Sequence, residues 1–504
     1  MTLTSRVTDE SIALTRRAIA EQSEIMAKAA GLSQPTGAAN LGMQNYNLEA
    51  PAKSLFPVIT PLRNRIARRA ARGGVQANWK AFTGINTANL DVGVSDGNRG
   101  GVMTTTSADY FAAFRQIGLE DYVTWAAQLS AEDFLDLRSR SQTNLLWALM
   151  IAEEKLDLGG NTALALTGIT QPTVADVGTG GTLAFNTTFS VIVAPLTLQG
   201  YSSASVAGGV RGVVTRTNAD ASSDTYGGGT GTPSTNRTVT TANDAVSTHK
   251  LTASVTPLSG AFGYAWFWGA AGAEKLGAIT TLNSVVITAA AAGTQTAASL
   301  LAADNSTNSL VYDGILTQIA KPGSGAYVAA MATGTAGVGT PLTADNVGGV
   351  VEIDTALQYF WDQWRLSPTT IWVSSQEQTN ITHKVLSGST TGTQRFMINV
   401  EQGAVKGGDL VTSYLNKFGM DGSKELPIRL HPNLPPGTLF FDTEQLPYPL
   451  ANVDSVLVKR LRQDYFATEW AQRSRKYEYG TYFDGVLQCY APFAFGMITN
   501  IGNG

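Results

Sequence analysis

The chain has 504 residues, enough for about two to four domains, and 43% of them are hydrophobic, as in folded globular proteins. A net charge of −4 excludes capture of nucleic acid by overall charge, and a single cysteine excludes an internal disulfide or a thiolate zinc cluster. That residue, Cys489, stands in an apolar run and is expected to be buried and inert. The polar N-terminus and the short apolar runs predict a soluble protein made in the cytoplasm, with no signal peptide and no membrane partner.

The first segment is predicted to be helical and is followed by an arm. Thr8, before two acidic residues, has the type of an N-cap, and apolar residues recur at helical spacing until Gly31. Residues 33–47 are rich in Gly, Pro and Asn, which predicts a loop or extended arm. A basic run at 62–74, LRNRIARRAARGG, then holds five arginines: Arg63, Arg65, Arg68, Arg69 and Arg72.

Two long elements are predicted next. Thr, Val and aromatic residues after position 75 suggest a two-stranded excursion with a Gly-rich tip near 95–101. Such a hairpin has little to bury by itself, so we expect it to lie on a neighbouring subunit. A long helix is predicted over 131–158, with Ser130 as N-cap and an end at two glycines. At about 1.5 Å per residue it would reach roughly 40 Å, like a spine across an elongated body.

The middle of the chain differs in composition. Residues 161–320 hold only five Lys/Arg and seven Asp/Glu, and are rich in Gly, Thr, Ser and Ala. Short strand-like runs separated by turns predict a β-sandwich at about 185–292. In the run GYAWFWG, the aromatic residues Tyr264, Trp266 and Trp268 either pack the core of this sandwich or stack on a bound sugar.

The last third alternates helices and strands. A helix is predicted from Thr343 as N-cap to a point before Pro368, followed by a strand, TTIWVSS, and a second helix capped by Ser375 and closed by Gly388. The tail is mostly strand-forming. The fold class predicted from this order is α+β.

The sequence contains no concentrated group of residues typical of a catalytic or metal-binding site. His249, His383 and His431 are scattered and are expected to be structural. The adjacent Glu153 and Glu154 are expected on a solvated helix surface, and the glycine-rich stretches do not continue into a phosphate-binding motif. The sequence therefore predicts no enzyme, no catalytic, metal-binding or cofactor-binding residues, and no cofactor.

The order of these parts resembles a known family. The phrase FPVITPLRNRIARRAARGGVQANWKAFTG, a long hairpin, a spine helix and a C-terminal region that ends in APFAFGMI are similar to the major capsid protein of a tailed bacteriophage with the Hong Kong 97-like fold. The resemblance covers about 50–165 and 305–504. It implies an N-terminal arm (1–60), a basic junction and extended loop (61–128), a spine helix of the peripheral domain (129–160), an axial domain (161–184 and 293–435), an inserted immunoglobulin-like β-sandwich (185–292) and the C-terminal strands of the peripheral domain (436–504).

The resemblance also implies a function and partners. Many copies, as hexamers and pentamers, would close into an icosahedral shell around double-stranded DNA, assembled in the host cytoplasm and present in the virion. Scaffolding, portal and decoration proteins are possible partners, and the packaged DNA would be contacted without sequence specificity. Two alternatives stay open: a carbohydrate-binding or adhesive surface protein, and another phage structural component of the tail or portal.

Two features depart from the family pattern. Some members join subunits through a lysine of the extended loop and an asparagine of the peripheral domain. Here Lys80 is the only lysine between Lys53 and Lys155, and it lies at the base of the loop. No obvious asparagine partner stands between Asp454 and Gln488, so we expect non-covalent assembly. The region before Leu41 is short for a cleavable scaffolding segment, which leaves scaffolding and cleavage open.

The basic run at 62–74 has three interpretations. It lies between the arm and the extended loop, where subunits would crowd together, so its guanidinium groups are predicted to pair with carboxylates of neighbouring subunits. Contact with packaged DNA and a simple solvated face are the alternatives. The carboxylates expected in these inter-subunit pairs are Glu153, Glu154, Asp464 and Glu469.

Overall fold

The protein is described by a computed structural model. The residues it describes are 13, 14, 16, 17, 20, 51–85, 92–132, 134–300, 303–387, 410–419 and 424–504. The chain divides into two compact units, of which the first is Met1–Phe56 with Ser130–Asp136, and the second is Pro57–Leu129 with Leu137–Gly504. Much of the first unit, including most of the helix predicted before Gly31 and the arm at 33–47, lies outside the described residues. The described positions between 13 and 20 are helical.

The helices and strands confirm the α+β class. The helices are α1 (Pro61–Arg65), α2 (Trp125–Ser130), α3 (Leu137–Gly159), α4 (Leu198–Ser203), α5 (Ile315–Ala320), α6 (Val351–Trp364) and α7 (Ser375–Ser387). The strands are β1 (Ala67–Ala70), β2 (Gln76–Ile85), β3 (Thr105–Ala113), β4 (Arg115–Thr124), β5 (Thr173–Val177), β6 (Thr188–Leu196), β7 (Val213–Thr217), β8 (Ser223–Gly227), β9 (Arg237–Thr240), β10 (Lys250–Ser254), β11 (Gly263–Gly269), β12 (Lys275–Thr280), β13 (Ser284–Ile287), β14 (Tyr327–Ala330), β15 (Thr370–Val373), β16 (Ser413–Asn416), β17 (Lys424–Leu430), β18 (Leu439–Asp442), β19 (Leu457–Glu469), β20 (Lys476–Cys489) and β21 (Gly496–Thr499).

A four-stranded sheet supports the long helix. Its strand order is β1-β19-β20-β4, with β1 parallel to β19 and the other pairs antiparallel. Helix α3 packs on this sheet, where Leu145 of the helix shares a small core with Val123 of β4 and Tyr479 of β20. The C-terminal half of α3 is buried deeply, and it carries the charged residues described below.

The start of the long helix was predicted too early. Ser130, expected as its N-cap, is instead the last residue of α2, and α3 begins at Leu137. Asp136 directly precedes α3 and is also of a type that favours N-caps. Local signals alone do not distinguish two such capping residues six positions apart, because tertiary packing selects where the chain turns.

A six-stranded sheet forms the second part of the fold. Its order is β14-β21-β18-β15-β17-β16, and its residues share one large apolar core with α3, α5 and α6. The predicted strand at β15 and the predicted helix at α7 are both confirmed. The helix predicted from Thr343 begins later, at Val351, because Asp345 accepts hydrogen bonds from the backbone N–H groups of Val347 and Gly349 and holds the preceding residues in a turn.

The described part of the charge-poor middle forms two larger sheets and a two-stranded sheet of β7 with β8. One larger sheet has the order β13-β10-β5 and the other β12-β11-β6-β9. A buried apolar cluster contains residues from both sheets, among them Val193 of β6, Leu251 of β10 and Trp266 of β11. The strand-like runs predicted here coincide with β6, β7, β10, β11 and β13. Strand β5 pairs with β10 although it precedes the predicted sandwich boundary at 185.

The predicted two-stranded excursion is present. Strands β2 and β3 pair with each other in antiparallel register from Gln76↔Ala113 to Ile85↔Thr105, and they form a sheet of their own. Between them, the backbone N–H of Asn98 donates to the carbonyl of Ser95, which places a turn at the predicted tip. At the base, Trp79 stacks on Tyr110 across the strands.

Candidate functional site

The basic run at 62–74 forms most of a short helix, α1, and a short strand, β1, so its arginine side chains point in different directions. Pro61 occupies the first turn of α1, where its missing N–H is not needed, and the helix ends at Ile66, whose extended backbone leads into β1. Because successive side chains of a strand point to opposite faces, Arg68 and Arg69 diverge. Arg68 reaches α3, whereas Arg69 pairs with Asp454 at 2.7 Å.

Glu153 is the centre of a buried charge cluster, which we define as Arg63, Arg68, Glu153, Asp157 and Lys459. Three cationic groups lie next to the Glu153 carboxylate. Their nitrogen-to-oxygen distances are 2.7 Å for Arg63 Nε, 2.8 Å for Arg68 Nη1 and 3.3 Å for Lys459 Nζ. The Tyr465 hydroxyl also donates to it. Burial alone would raise the pKa of Glu153, but Lys459 and Arg68 outweigh burial and lower the pKa to about 2.

Glu154, the next residue, anchors the backbone of α1. Its two carboxylate oxygens accept the N–H of Leu62 at 3.0 Å and the N–H of Arg63 at 2.7 Å. His431 Nε2 lies 2.7 Å from the same carboxylate, and the His431 and Glu154 side chains are fully buried. This carboxylate therefore satisfies donors at the start of a helix that has no side-chain cap of its own.

Asp157, one helical turn after Glu153, contacts the amine of Lys459 directly. Tyr312 donates its hydroxyl to the same oxygen of Asp157 at 2.8 Å. Burial raises the pKa of Asp157 to about 6, although the adjacent Lys459 opposes this shift. Lys459, near the start of β19, is only 1% exposed.

Arg65 makes a separate buried pair. It donates through Nη2 to Asp442 Oδ1 at 2.5 Å, and Trp372 Nε1 donates to the other oxygen of Asp442 at 2.9 Å. Burial lowers the pKa of Arg65 to about 10. Asp442 ends strand β18, so this pair attaches α1 to the six-stranded sheet.

The structure corrects the predicted exposure of Glu153 and Glu154. Both are fully buried, not on a solvated surface, because α1 packs on α3 and two side chains of β19, Lys459 and Tyr465, contact Glu153. The pairs of Glu153 and Asp464 with Arg68, predicted between subunits, form within one chain. Glu469 pairs with Arg138 at 2.9 Å, not with the basic run.

Two members of the cluster, Asp157 and Lys459, were missed by sequence reasoning, as were Tyr312 and Tyr465, which contact it. These four residues come from three separate segments, because Lys459 and Tyr465 both lie on β19, and no local motif joins the segments. One signal was available, since Lys459 is a charged residue inside the apolar run SVLVKRL of a strand. A lysine in such a run has to be either at an edge or paired.

The aromatic strand β11 does not present a sugar-binding surface. Tyr264, Trp266 and Trp268 are all buried in the core shared by the two middle sheets. Trp266 Nε1 donates to Thr280 Oγ1 at 2.9 Å, so its polar atom is also satisfied inside the fold. The predicted glycan contact is wrong for these three residues, and the alternative of core packing is correct.

The histidines and the cysteine noted in the sequence lie in different environments. His249 lies between Asp176 and Asp244, at 2.9 Å and 3.0 Å, and its hydrogen bonds to Asp244 and Asp176 raise its pKa. Cys489 is buried, and burial raises the pKa of its thiol to about 12, as expected for an inert cysteine. His383 lies exposed on α7.

No group of three or more His, Cys, Asp or Glu side chains in the described part of the chain is placed to hold a metal ion. None of the helices built from those residues is long and apolar enough to cross a membrane.

The hairpin β2–β3 and its connection expose several large apolar side chains. Phe82, Phe111 and Val102 are 73%, 69% and 93% exposed, and Ile85 and Met103 are exposed as well. Lys80 lies at its base, 3.5 Å from Asp109 on the opposite strand.

Comparison with known proteins gave structural matches alone. No protein-family model matches the chain, and no curated protein matches it. The chain is similar to the capsid of Myoviridae phage XM1 at 10% identity, covering 93% of this chain and all of that chain, with a TM-score of 0.40. It is similar to the capsid of Cyanophage P-SCSP1u (9% identity, 93% and 96% covered, TM-score 0.38) and to the mature capsid of bacteriophage PhiM1 (9%, 93% and 96%, 0.37).

Proposed function

We propose that the protein is the major capsid protein of a tailed bacteriophage with a Hong Kong 97-like fold. Its copies assemble into the icosahedral shell that encloses double-stranded DNA, so its role is structural, not enzymatic. The observation that carries this proposal is the exposed apolar hairpin β2–β3, and the resemblance of the sequence to that family supports it.

The hairpin is poorly explained as part of a monomer. Two strands that pair with each other alone are marginally stable in water, and contiguous exposed apolar patches mark interaction sites. Phe82 and Phe111 stand on opposite strands and are each more than two-thirds exposed. A neighbouring copy that covers the hairpin would bury these side chains and stabilise both subunits, at about 25 cal/mol for each Å² removed from water.

Buried charge pairs hold the core of the second unit together. The charge cluster ties α1, α3 and β19 together, and the pair of Arg65 with Asp442 ties α1 to the six-stranded sheet. A subunit whose core is fixed in this way can repeat the same contacts around closed symmetry axes. Hexamers and pentamers are the oligomers that we propose, in virions assembled in the host cytoplasm.

Of the basic run, Arg69 and Arg72 are the residues that we propose for inter-subunit contact. Arg63, Arg65 and Arg68 are already engaged with buried carboxylates of their own chain. Arg69 is 43% exposed, and its partner Asp454 is 76% exposed, so this pair can exchange with a neighbour's charges. Non-specific contact with packaged DNA, and scaffolding, portal and decoration proteins as partners, belong to the same proposal.

The middle sheets, with their low charge and high Thr, Ser and Gly content, would form an inserted immunoglobulin-like sandwich that decorates the shell. An isolated carbohydrate-binding function has no support from the buried aromatic residues of β11.

Assembly of hairpin variants tests the proposal. Phe82→Ser with Phe111→Ser makes the hairpin polar, and Val213→Ser is the matched control, since it changes an exposed valine of the middle region. The full chain is expressed, and particles are counted by electron microscopy and sedimentation. We expect closed shells from the wild type and the control, and unassembled folded subunits, with unchanged circular dichroism, from the hairpin variant.

Two results would contradict the proposal. The first is a hairpin variant that forms shells as efficiently as the wild type. The second is a wild-type protein that stays monomeric or forms open filaments under every assembly condition tried.

A further inference from the structure

The contact between Lys459 and Asp157 places an amine and a carboxyl group together in a dry site. Lys459 Nζ touches Asp157 Oδ1, and Glu153 Oε1 lies 3.3 Å from the same nitrogen. The Lys459 and Asp157 side chains are 1% exposed and that of Glu153 is not exposed at all. The rings of Tyr312 and Phe483 flank Nζ, with centroids at 3.8 Å and 5.5 Å.

We propose that Lys459 and Asp157 condense to an intrachain isopeptide bond, with Glu153 as the group that transfers the proton. The bond would join the C-terminal half of α3 to the start of β19, across 302 residues of sequence. The proposal rests on contacts within one subunit and does not depend on shell formation.

The reaction needs no partner from outside the chain. The Lys459 ammonium first passes a proton to the Asp157 carboxylate that it touches, which leaves a neutral amine beside a neutral carboxyl group. The amine nitrogen then attacks Cγ of Asp157, and an N–C bond forms. Glu153 accepts a proton from that nitrogen and returns it to the departing hydroxyl of Asp157, so that one water leaves and Glu153 is unchanged.

Each step has a residue in contact with the reacting atoms. Tyr312 donates to Asp157 Oδ1 at 2.8 Å, which is the oxygen that Lys459 touches and protonates, and this hydrogen bond assists its departure as water. Burial keeps the pKa of Tyr312 well above its usual value, so its hydroxyl retains the proton that it donates. Burial likewise raises the pKa of Asp157 to about 6, which favours the neutral acid that the amine attacks.

The fold holds these groups in position before any reaction. Glu153 and Asp157 lie one turn apart on α3, and therefore on the same face. Arg68 Nη1, at 2.8 Å, and Arg63 Nε, at 2.7 Å, fix the orientation of Glu153. Such fixed proximity is worth several orders of magnitude in the rate of an intramolecular reaction.

The product is also favoured by its environment. A buried ion pair carries a desolvation penalty that its attraction only partly repays, whereas an amide is neutral. Condensation replaces the buried Lys459 ammonium and Asp157 carboxylate with one neutral amide. The water that the reaction forms leaves the dry site. If no bond forms, Lys459 and Asp157 remain a buried salt bridge with the same contacts, and the protein keeps the full mass of its sequence.

Mass spectrometry of the full wild-type chain decides between them. The purified protein is denatured and its intact mass is measured, and a tryptic digest is then mapped. We expect a mass lower by one water than the sequence, no cleavage after Lys459, and a branched peptide that contains both Asp157 and Lys459. A mass equal to that of the sequence, with ordinary peptides for both residues, would overturn the proposal without any variant.

Variants identify the reacting groups. Lys459→Arg and Asp157→Ala should each give the full mass of the sequence. The matched control is Lys155→Arg, at an exposed lysine of α3, the helix that carries Asp157, and this variant should still lose one water. Asp157→Asn should instead lose one ammonia, because the amide nitrogen leaves. Glu153→Gln should retain the full mass for at least tenfold longer after synthesis, and a normal rate in this variant would remove Glu153 from the mechanism.

Discussion

Replacement of Glu154 by alanine is the sharpest test of how the basic run is held. Its carboxylate accepts the N–H groups of Leu62 and Arg63 and lies 2.7 Å from His431 Nε2, all in a buried site. Glu154→Ala leaves these three polar groups without that partner. A buried polar group that loses its hydrogen bond costs about 1–3 kcal/mol, and three such groups are affected here, with contributions that are not fully additive. We therefore expect a loss of about 4 kcal/mol in the free energy of unfolding.

Urea unfolding of the unassembled subunit, followed by tryptophan fluorescence, measures this loss. A decrease of that size is a large part of a typical stability of about 5–15 kcal/mol. Lys155→Ala is the control, because Lys155 is the exposed neighbour of Glu154 on α3, and it should change stability by less than about 0.5 kcal/mol. If the free energy of unfolding of Glu154→Ala lies within about 1 kcal/mol of that of this control, the Glu154 carboxylate does not anchor α1.

Three further predictions concern the core and pH. Trp266→Ala should lower the stability of the middle sheets by about 3–5 kcal/mol, measured by thermal unfolding, because it empties a fully buried site; a loss under about 1 kcal/mol would contradict this. Gly277→Ala should destabilise by about 1–3 kcal/mol, since a Cβ there would lie 2.0 Å from the Trp268 ring, and an unchanged melting temperature would show that the ring can move. Burial raises the pKa of Glu377 from 4.5 to about 7, so the folded chain keeps a proton that the unfolded chain has lost, and stability should fall as pH rises through that window. Glu377→Gln should reduce this slope in urea titrations between pH 4.5 and 7, and an unchanged slope would assign it to other groups.

Much of the fold could be predicted from local patterns. The antiparallel excursion with its tip near 95–101, the strand at β15 and the helix from Ser375 follow from alternation, turn residues and capping, which act over a few neighbouring residues. The first residues of two helices were predicted less accurately. Ser130 and Thr343 both look like N-caps, yet α3 and α6 begin seven and eight residues later.

The candidate site depended on tertiary structure. The sequence by itself established a chain of low net charge with an arginine-rich run, a long helix and an aromatic strand. It could not determine that Glu153 and Glu154 are buried, that Trp266 faces a core, or that Lys459 meets Asp157. Burial and charge pairing are set by which segments, up to several hundred residues apart, pack against one another, and no local pattern specifies that.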